Sequence, residues 1–547
     1  MNSDRLPTTD NRPPGRRPAG FAVFVAAGIL LSRISGLIRE KVFAHFLGNS
    51  VAAGVWKAAF RVPNLLQNLF GEGALSASFI PVYAKLLAEK DEEAAGRVAG
   101  MVAALLSLVI AVIVSLGVLF TPAFLFVIAP GFKGATRELT IVIVRILFPA
   151  MGLLVLSAWC LGILNSHRRF FLSYVAPVFM NIVMIATLLS FGARMTDRSL
   201  VIAAAWGTVV GALAQFAVQL PTVLRHERGL KFAIDMTFAA VREVLRNFAP
   251  VVVSRGVVQL SGYLDMLIAT LLSESAVAAL GFAQTIYQLP IALFGMSVAA
   301  AELPQMSSAL GSEADIHEAL RKRLSRGLRQ ITFFVVPTVA AFLFIGRELV
   351  AALYQGGRFT PDDTLYVWYI LAGSTVGLLA ATLGRLYSSA FYALRDTRTP
   401  LWFAVIRVVI TGISGYLFAI PFRPLLLDAL RALNVPLPSS HGTAPLGGIA
   451  LTATAGVAGW IEFLMLRHAL RKRIGGLESA GSYEIRVWVA AIVAGVVGFV
   501  CDRFVESLPA IPEALIVATI FGVVYFAVGF ILGIPEVKAT LGRFRRR

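Results

Sequence analysis

Nine cations and five carboxylates stand inside long apolar runs of this chain: Arg33, Arg39, Lys41, Lys57, Arg61, Arg145, Arg255, Arg385 and Arg407 against Glu40, Glu72, Asp265, Glu302 and Glu462. A charged side chain at mid-bilayer costs about 2.5–3.5 kcal/mol even on a lenient insertion scale. Such residues must face one another, water or a ligand rather than acyl chains. Five acids cannot neutralise nine cations. Lys41 and Lys57 lie near the ends of their runs, where an ammonium can snorkel to the headgroups. Arg33, Arg39, Arg61 and Arg255 lie deeper, in the first two runs of each half of the sequence. Arg33 and Glu40, seven residues apart, share a helix face, with Arg39 projecting about 120° away. Surplus guanidinium groups at that depth suit an anion, and phosphate best, because the fork engages two oxygens at once. The competing reading is that Arg33–Glu40 and Arg255–Asp265 are salt bridges that merely pack helices.

The elements that must position these groups are membrane helices. The chain has 547 residues, 57% hydrophobic and 15% charged, where soluble domains carry about 25% charged residues. Apolar runs long enough to cross a bilayer as helices fall at 21–44, 54–84, 98–128, 139–164, 171–192, 199–224, 247–272, 276–311, 330–352, 364–392, 399–420, 444–466, 485–504 and 511–534. The expected fold is an all-α polytopic membrane protein with fourteen spans. Lys and Arg concentrate in alternate loops, on the side of the N-terminal tail, so both termini are expected in the cytoplasm. The net charge of +18 then anchors topology, and no nucleic-acid partner is implied. Cys160 and Cys501 sit in apolar runs as small hydrophobes. The six histidines lack ligand spacing, and no phosphate-binding loop, zinc motif or nucleophile elbow occurs. No catalytic residue, metal or cofactor is expected. Work done by this chain must draw on an ion gradient, the membrane potential or mass action.

The two halves resemble each other at an offset near 225. "NSVAAG" near 49 answers "ESAVAAL" near 274; Pro63, Phe70, Gly71 and Pro81 answer Pro290, Phe294, Gly295 and Pro304; "APGFKG" near 129 answers "YQGGRF" near 354; Pro177 answers Pro400. Six spans separate the copies, so they share one orientation, and a parallel repeat places a cavity between two bundles. The expected organisation is a disordered basic tail (1–19), an N-terminal six-helix lobe (20–226), a C-terminal six-helix lobe (227–470), a further helix pair (471–537) and a basic tail (538–547). The lobes enclose a central cationic cavity. Segment 421–443 reads as a short amphipathic helix at the outer interface. Repeated halves about a cavity are transporter architecture, with Asp265 and Glu302 as candidate acids for coupling to Na+ or H+; a packing salt bridge is the alternative role for Asp265.

"SRISGLIREKVFAHFLG" at 32–48, "FRVPNLLQNLFGEGALSASFIPVYAKL" at 60–86, "APGF" at 129–132, "LYQGGRFTPDD" at 353–363 and "FYALRDTRTP" at 391–400 resemble the MurJ/MviN family of lipid II flippases, within the multidrug, oligosaccharidyl-lipid and polysaccharide exporters. The resemblance implies a non-enzymatic carrier in the bacterial inner membrane. It would move lipid II, an undecaprenyl-pyrophosphate-linked peptidoglycan precursor, from the cytoplasmic to the outer leaflet by alternating access, with membrane lipids around it and cell-wall synthesis machinery as potential partners. It also implies that Arg33, Arg39 and Arg61 bind pyrophosphate beside Glu40, and that the last helix pair forms a groove for the polyprenyl tail. The chain departs from the family pattern at Gln67 and Asn68 and at Thr285, where arginine is usual, at Gln284, and at Gly54, where aspartate is usual. Arg255 is the expected substitute for the missing cations. The departures leave room for another polyprenyl-linked glycan as substrate. A cation-coupled drug exporter would require acidic lobes, against the cation excess here. A non-transporting scaffold for cell-wall enzymes is the remaining alternative.

Overall fold

The computed structural model describes residues 19–227, 229–232, 238–299, 302, 306, 313–432, 442, 444–476 and 481–544, with side chains at 19–26, 72, 249–251, 253–262, 540–544 and a few other helical positions outside that description. The expected N-terminal tail therefore lies outside the described residues, as does the Arg255 side chain.

The first half comprises α1 (Ala19–Leu47), α2 (Val51–Phe70), α3 (Glu72–Ala88), α4 (Glu92–Ile128), α5 (Gly134–Ser166), α6 (Phe170–Phe191) and α7 (Asp197–His226). The second comprises α8 (Ala239–Leu272), α9 (Glu274–Pro290, continued by a π-helical turn at Ile291–Met296), α10 (Glu313–Phe344), α11 (Gly346–Tyr354), α12 (Pro361–Ala393), α13 (Arg398–Ala419), α14 (Arg423–Ala432) and α15 (Ala444–Ile474). Then follow α16 (Gly481–Val505), α17 (Ala510–Ile531) and the short α18 (Pro535–Phe544). Eleven helices among the described residues are long and apolar enough to cross a membrane: α4–α7, α9 with its extension, α10, α12, α13 and α15–α17. Large side chains such as Phe126, Trp402 and Ile531 stand exposed on them, as lipid-facing positions do.

Two expected spans prove to be broken. The run at 54–84 divides at Gly71, whose N–H still bonds the Gln67 carbonyl at 2.9 Å while its ψ of −146° leaves the helical region. The run at 330–352 divides at Ile345 into α10 and α11. Hydropathy cannot see such breaks, because a one-residue change of direction leaves mean apolarity unchanged. The 421–443 segment contains a helix, α14, over its first part.

Packing in the second half repeats that of the first: α1 on α6, α2 on α5, and α7 on α5 and α6 are answered by α8 on α13, α9 on α12, and α15 on α12 and α13. Local chemistry repeats too. Ser50 caps α2 by accepting the Ala53 N–H at 3.3 Å, and Ser273 caps α9 by accepting that of Ala276 at 3.0 Å, each satisfying an orphan donor. The break at Gly71 is answered by the π-helical turn around Gly295. Helices α16 and α17 pack on each other, with α16 also on α10 and α17 on α11.

Three turns at one end of the molecule share a costlier feature. Lys90, Arg168 and Arg395 adopt positive φ of about 60°, which costs a residue with a Cβ about 1–2 kcal/mol. Each closes a helix in the same way: the N–H after it reaches back five residues, Asp91 to Leu86, Arg169 to Leu164 and Asp396 to Phe391, at 3.1, 2.8 and 2.9 Å. Glycine is the usual occupant; a cation stands here each time, beside the negative end of a helix dipole.

Asp396 ties the last of these turns to its surroundings. Its carboxylate accepts the N–H groups of Arg398 and Thr399 at 3.1 and 3.0 Å and the Thr399 hydroxyl at 2.7 Å, and pairs with Arg473 at 2.6 Å. Desolvation opposes its charge, but the Thr399 bonds and Arg473 outweigh it and hold the carboxyl below its ordinary range. The stabilisation is complete above the unfolded Asp value, about 3.9, and fades as pH falls through the lower folded value. Asp396→Asn should lower the melting temperature in detergent at pH 7 and approach the parent at pH 3. An equal gap at both pH values would exclude the charge as the cause.

Candidate functional site

Glu40 is the centre of the buried charge in α1. One carboxylate oxygen accepts from Arg39 Nη2 at 2.9 Å and the other from Lys57 Nζ of α2 at 2.5 Å. Arg39 donates its other fork to Asn181 Oδ1 of α6 at 3.0 Å, and Asn181 Nδ2 donates to Ser35 Oγ at 2.8 Å. The Lys57 ammonium lies 4.6 Å from the centre of the Phe282 ring on α9 and 5.3 Å from that of Phe43, a cation–π setting that strengthens when water is excluded. Lys57 is thus buried against Glu40, its side chain 11% exposed, and not extended to the headgroups as expected. One carboxylate at that depth attracts an ammonium more strongly than the distant interface does. Lys41 also departs from snorkelling: it donates to the Ala352 carbonyl at 2.7 Å, in the last turn of α11.

Arg33 does not pair with Glu40. It is exposed, with no hydrogen bond or ion pair among the described residues. Seven-residue spacing aligned the two Cα atoms, but adjacent Arg39 and facing Lys57 occupy both Glu40 oxygens. Arg61 donates to the Gln284 side-chain oxygen of α9, and the Tyr263 hydroxyl of α8 donates to the Arg61 carbonyl at 2.6 Å. Gln284 is neutral, so this contact positions Arg61 without cancelling its charge. Thr285 turns back to the Gly281 carbonyl at 3.0 Å.

In the second half, Asp265 is half-buried with one oxygen out of reach of solvent and of any hydrogen-bond partner among the described residues, and Arg61 and Arg407 are the charges that act on it. Arg407 pairs with Glu462 of α15 at 3.2 Å, and Arg385 stands within electrostatic reach of both. Glu302 is buried, has an oxygen without a partner, and forms no ion pair among the described residues. The structure therefore brings Arg39, Glu40 and Lys57 together, and separately relates Arg61 to Asp265. Arg33 stands apart. Sequence reasoning missed Asn181, Gln284 and Tyr263; Asn181, the one amide in the otherwise apolar run of α6, was the available signal.

The halves meet at the end of the molecule that carries the α1–α2 and α8–α9 turns. The Arg358 N–H donates to the His45 carbonyl at 2.8 Å, and the Arg358 guanidinium pairs with Asp197 at the start of α7. Thr136 donates to Glu274 Oε1 at 3.0 Å, and within the second half Tyr354 donates to the Phe282 carbonyl at 3.3 Å. Gly54 makes the approach of α2 to α9 possible, since a Cβ there would collide with the Glu274 carbonyl.

A family model described as "Lipid II flippase MurJ" matches residues 43–430. The chain is 29% identical to the lipid II flippase MurJ of Burkholderia cenocepacia, covering 96% of this chain and 98% of that protein. It is 31% identical to the probable lipid II flippase MurJ of Rhizobium meliloti over 71% and 72% of the two. Among solved structures, a lipid II flippase MurJ in an inward closed conformation superposes with a TM-score of 0.72 at 22% identity, covering 93% of this chain and 98% of that one. An inward-facing multidrug transporter of the MATE family superposes at 0.60 and 19%, over 82% and 99%; both likenesses concern the fold.

Removing one partner of a buried ion pair strands the other charge, at a cost of about 3–5 kcal/mol. Glu40→Gln should therefore lower the melting temperature markedly, and adding Lys57→Met should restore most of the loss. Thermal unfolding of the parent, both single variants and the double variant reads the coupling; strictly additive shifts would show that Glu40 and Lys57 act independently.

Proposed function

The chain belongs to the lipid II flippase MurJ family, and from that premise we propose that it translocates lipid II across the bacterial inner membrane. One observation carries the reading: α1 and α2 hold five Lys and Arg residues, Arg33, Arg39, Lys41, Lys57 and Arg61, and one carboxylate, Glu40, which pairs with Arg39 and Lys57. A surplus held at that depth is stabilised by a ligand that brings negative charge, and pyrophosphate supplies it in the form a guanidinium fork binds best. Arg33 and Arg61 make the direct contacts in this reading. Glu40 holds Arg39 and Lys57 at the site's floor, and Arg255 joins from α8 in place of the arginines absent at Gln67 and Thr285.

In the proposed topology α1, the α2–α3 pair and α8 also cross the membrane. That makes fourteen spans in two six-helix lobes (20–226 and 227–470) around a cationic cavity, followed by the α16–α17 pair (within 471–537) as a groove for the lipid tail. Both termini face the cytoplasm. The interhalf contacts at His45, Asp197 and Arg358 then close the outer end, and the carrier is inward-facing. The same cations argue for a carrier over a drug exporter, whose cationic substrates they would repel. Outward movement of a dianion along an inside-negative potential of 100 mV gains roughly 4–5 kcal/mol, at about 2.3 per charge. Membrane potential or a counter-ion, Na+ or H+, then resets the empty carrier. Asp265 and Glu302 are the candidate acids for that ion.

Rescue of a cell depleted of its lipid II flippase tests the whole reading, and labelled lipid II in proteoliposomes separates leaflet exchange from the mere binding expected of a scaffold. Arg33→Ala, Arg61→Ala and Arg255→Ala should each reduce exchange at least tenfold while the protein still inserts; retained exchange in any one removes that residue from the site. A disulfide between Asp197→Cys and Arg358→Cys should stop exchange until reduced. Full exchange with the crosslink formed would rule out opening at this end.

A further inference from the structure

The turn between α12 and α13 contains a carboxylate that its counterpart in the first half lacks. Arg395 and Arg168 hold the same left-handed position after α12 and α5. In the second half the next residue is Asp396, which binds the start of α13 and Arg473 from the last turn of α15. In the first half the next residue is Arg169, which gives α6 no side-chain cap, and the last turn of α7 brings Arg225 and His226 to the same place. Where the second half sets an acid among cations, the first half sets a further cation.

These four basic residues line a cavity of about 550 Å3. Arg168, Arg169 and Arg225 form no ion pair among the described residues. Glu227, two residues beyond Arg225, cannot serve: it is buried and bound to Tyr83 and to His167, at 3.0 Å from the latter. His226 anchors itself through Nδ1 to the Thr222 carbonyl at 2.8 Å. The cavity thus repeats the arrangement around Asp396 with its anion missing. Its lining is apolar on one side, with Phe171 exposed beside the arginines and Phe170 and Leu172 next to it. Helices α6 and α7, both long and apolar enough to span a membrane, run away from it.

We propose that this cavity binds the phosphodiester of an acidic phospholipid headgroup, which takes the place that the Asp396 carboxylate fills in the second half. The arginines engage the phosphate oxygens, and the acyl chains lie along the apolar faces of α6 and α7. The apolar side of the lining favours a lipid over free phosphate.

The full chain is tested in nanodiscs of phosphatidylcholine with and without phosphatidylglycerol, by thermal unfolding. Phosphatidylglycerol should raise the melting temperature of the parent. Arg169→Asp, which supplies the missing carboxylate from within, should abolish at least four-fifths of that response, and Arg225→Gln at least half. Lys90→Gly relieves the same backbone strain away from the cavity and should keep the response whole. A full response in both Arg169→Asp and Arg225→Gln overturns the site. Loss of the response in Lys90→Gly overturns it too, by showing a general charge effect. An equal shift from inorganic phosphate in phosphatidylcholine discs overturns the lipid as the source of the anion.

Discussion

A positive charge held at bilayer depth must find a negative one, and the supply of acids in this protein falls short. Glu40 satisfies two cations at once, Arg39 and Lys57, leaving a net charge of one on that triad before Arg33 and Arg61 are counted. Neutral partners carry part of the load. Asn181 orients Arg39, which also pairs with Glu40, and Gln284 accepts from Arg61. Such an arrangement separates geometry from charge balance. Amides set where the forks of Arg39 and Arg61 lie, and Glu40 supplies the one carboxylate of α1 and α2.

The internal repeat gives this charge layer a frame that can move. Corresponding helices pack in corresponding ways in the two halves, yet the halves differ where the chemistry lies. The first holds a cation surplus around one acid, whereas the second balances Arg407 against Glu462 and leaves Asp265 between Arg61 and Arg407. Contacts between the halves at the α1–α2 end include an ion pair, hydrogen bonds from Arg358 to His45 and from Thr136 to Glu274, and a close helix approach permitted by Gly54. Around these bonds Phe43 and Trp56 of the first half and Phe282 and Phe359 of the second belong to one buried apolar cluster.

Departures from the family pattern become understandable in three dimensions. Gly54, where an aspartate is usual, is the point at which α2 touches the Glu274 backbone, and no side chain fits there in this state. Gln284 lies opposite Arg61 and accepts from it. Thr285 donates to the Gly281 carbonyl of its own helix and lies beside the Tyr354 hydroxyl. The loss of family charges at 284 and 285 is therefore partly absorbed by an amide contact that keeps Arg61 in place.

Much was legible in the sequence because its causes are local. Apolar runs of bilayer length required membrane helices, and the offset near 225 required related halves. Helix periodicity placed Arg33 and Glu40 on one face. It could not say which cation would reach the carboxylate, since that depends on what the neighbouring helix presents. Lys57 arrived from α2 and took the position, and Arg33 was left exposed. The break at Gly71, the bond from Lys41 to the end of α11, and the contrast between Arg169 and Asp396 were likewise settled by tertiary contact. Each depends on distances between residues far apart in the chain, which composition, spacing and hydropathy do not encode.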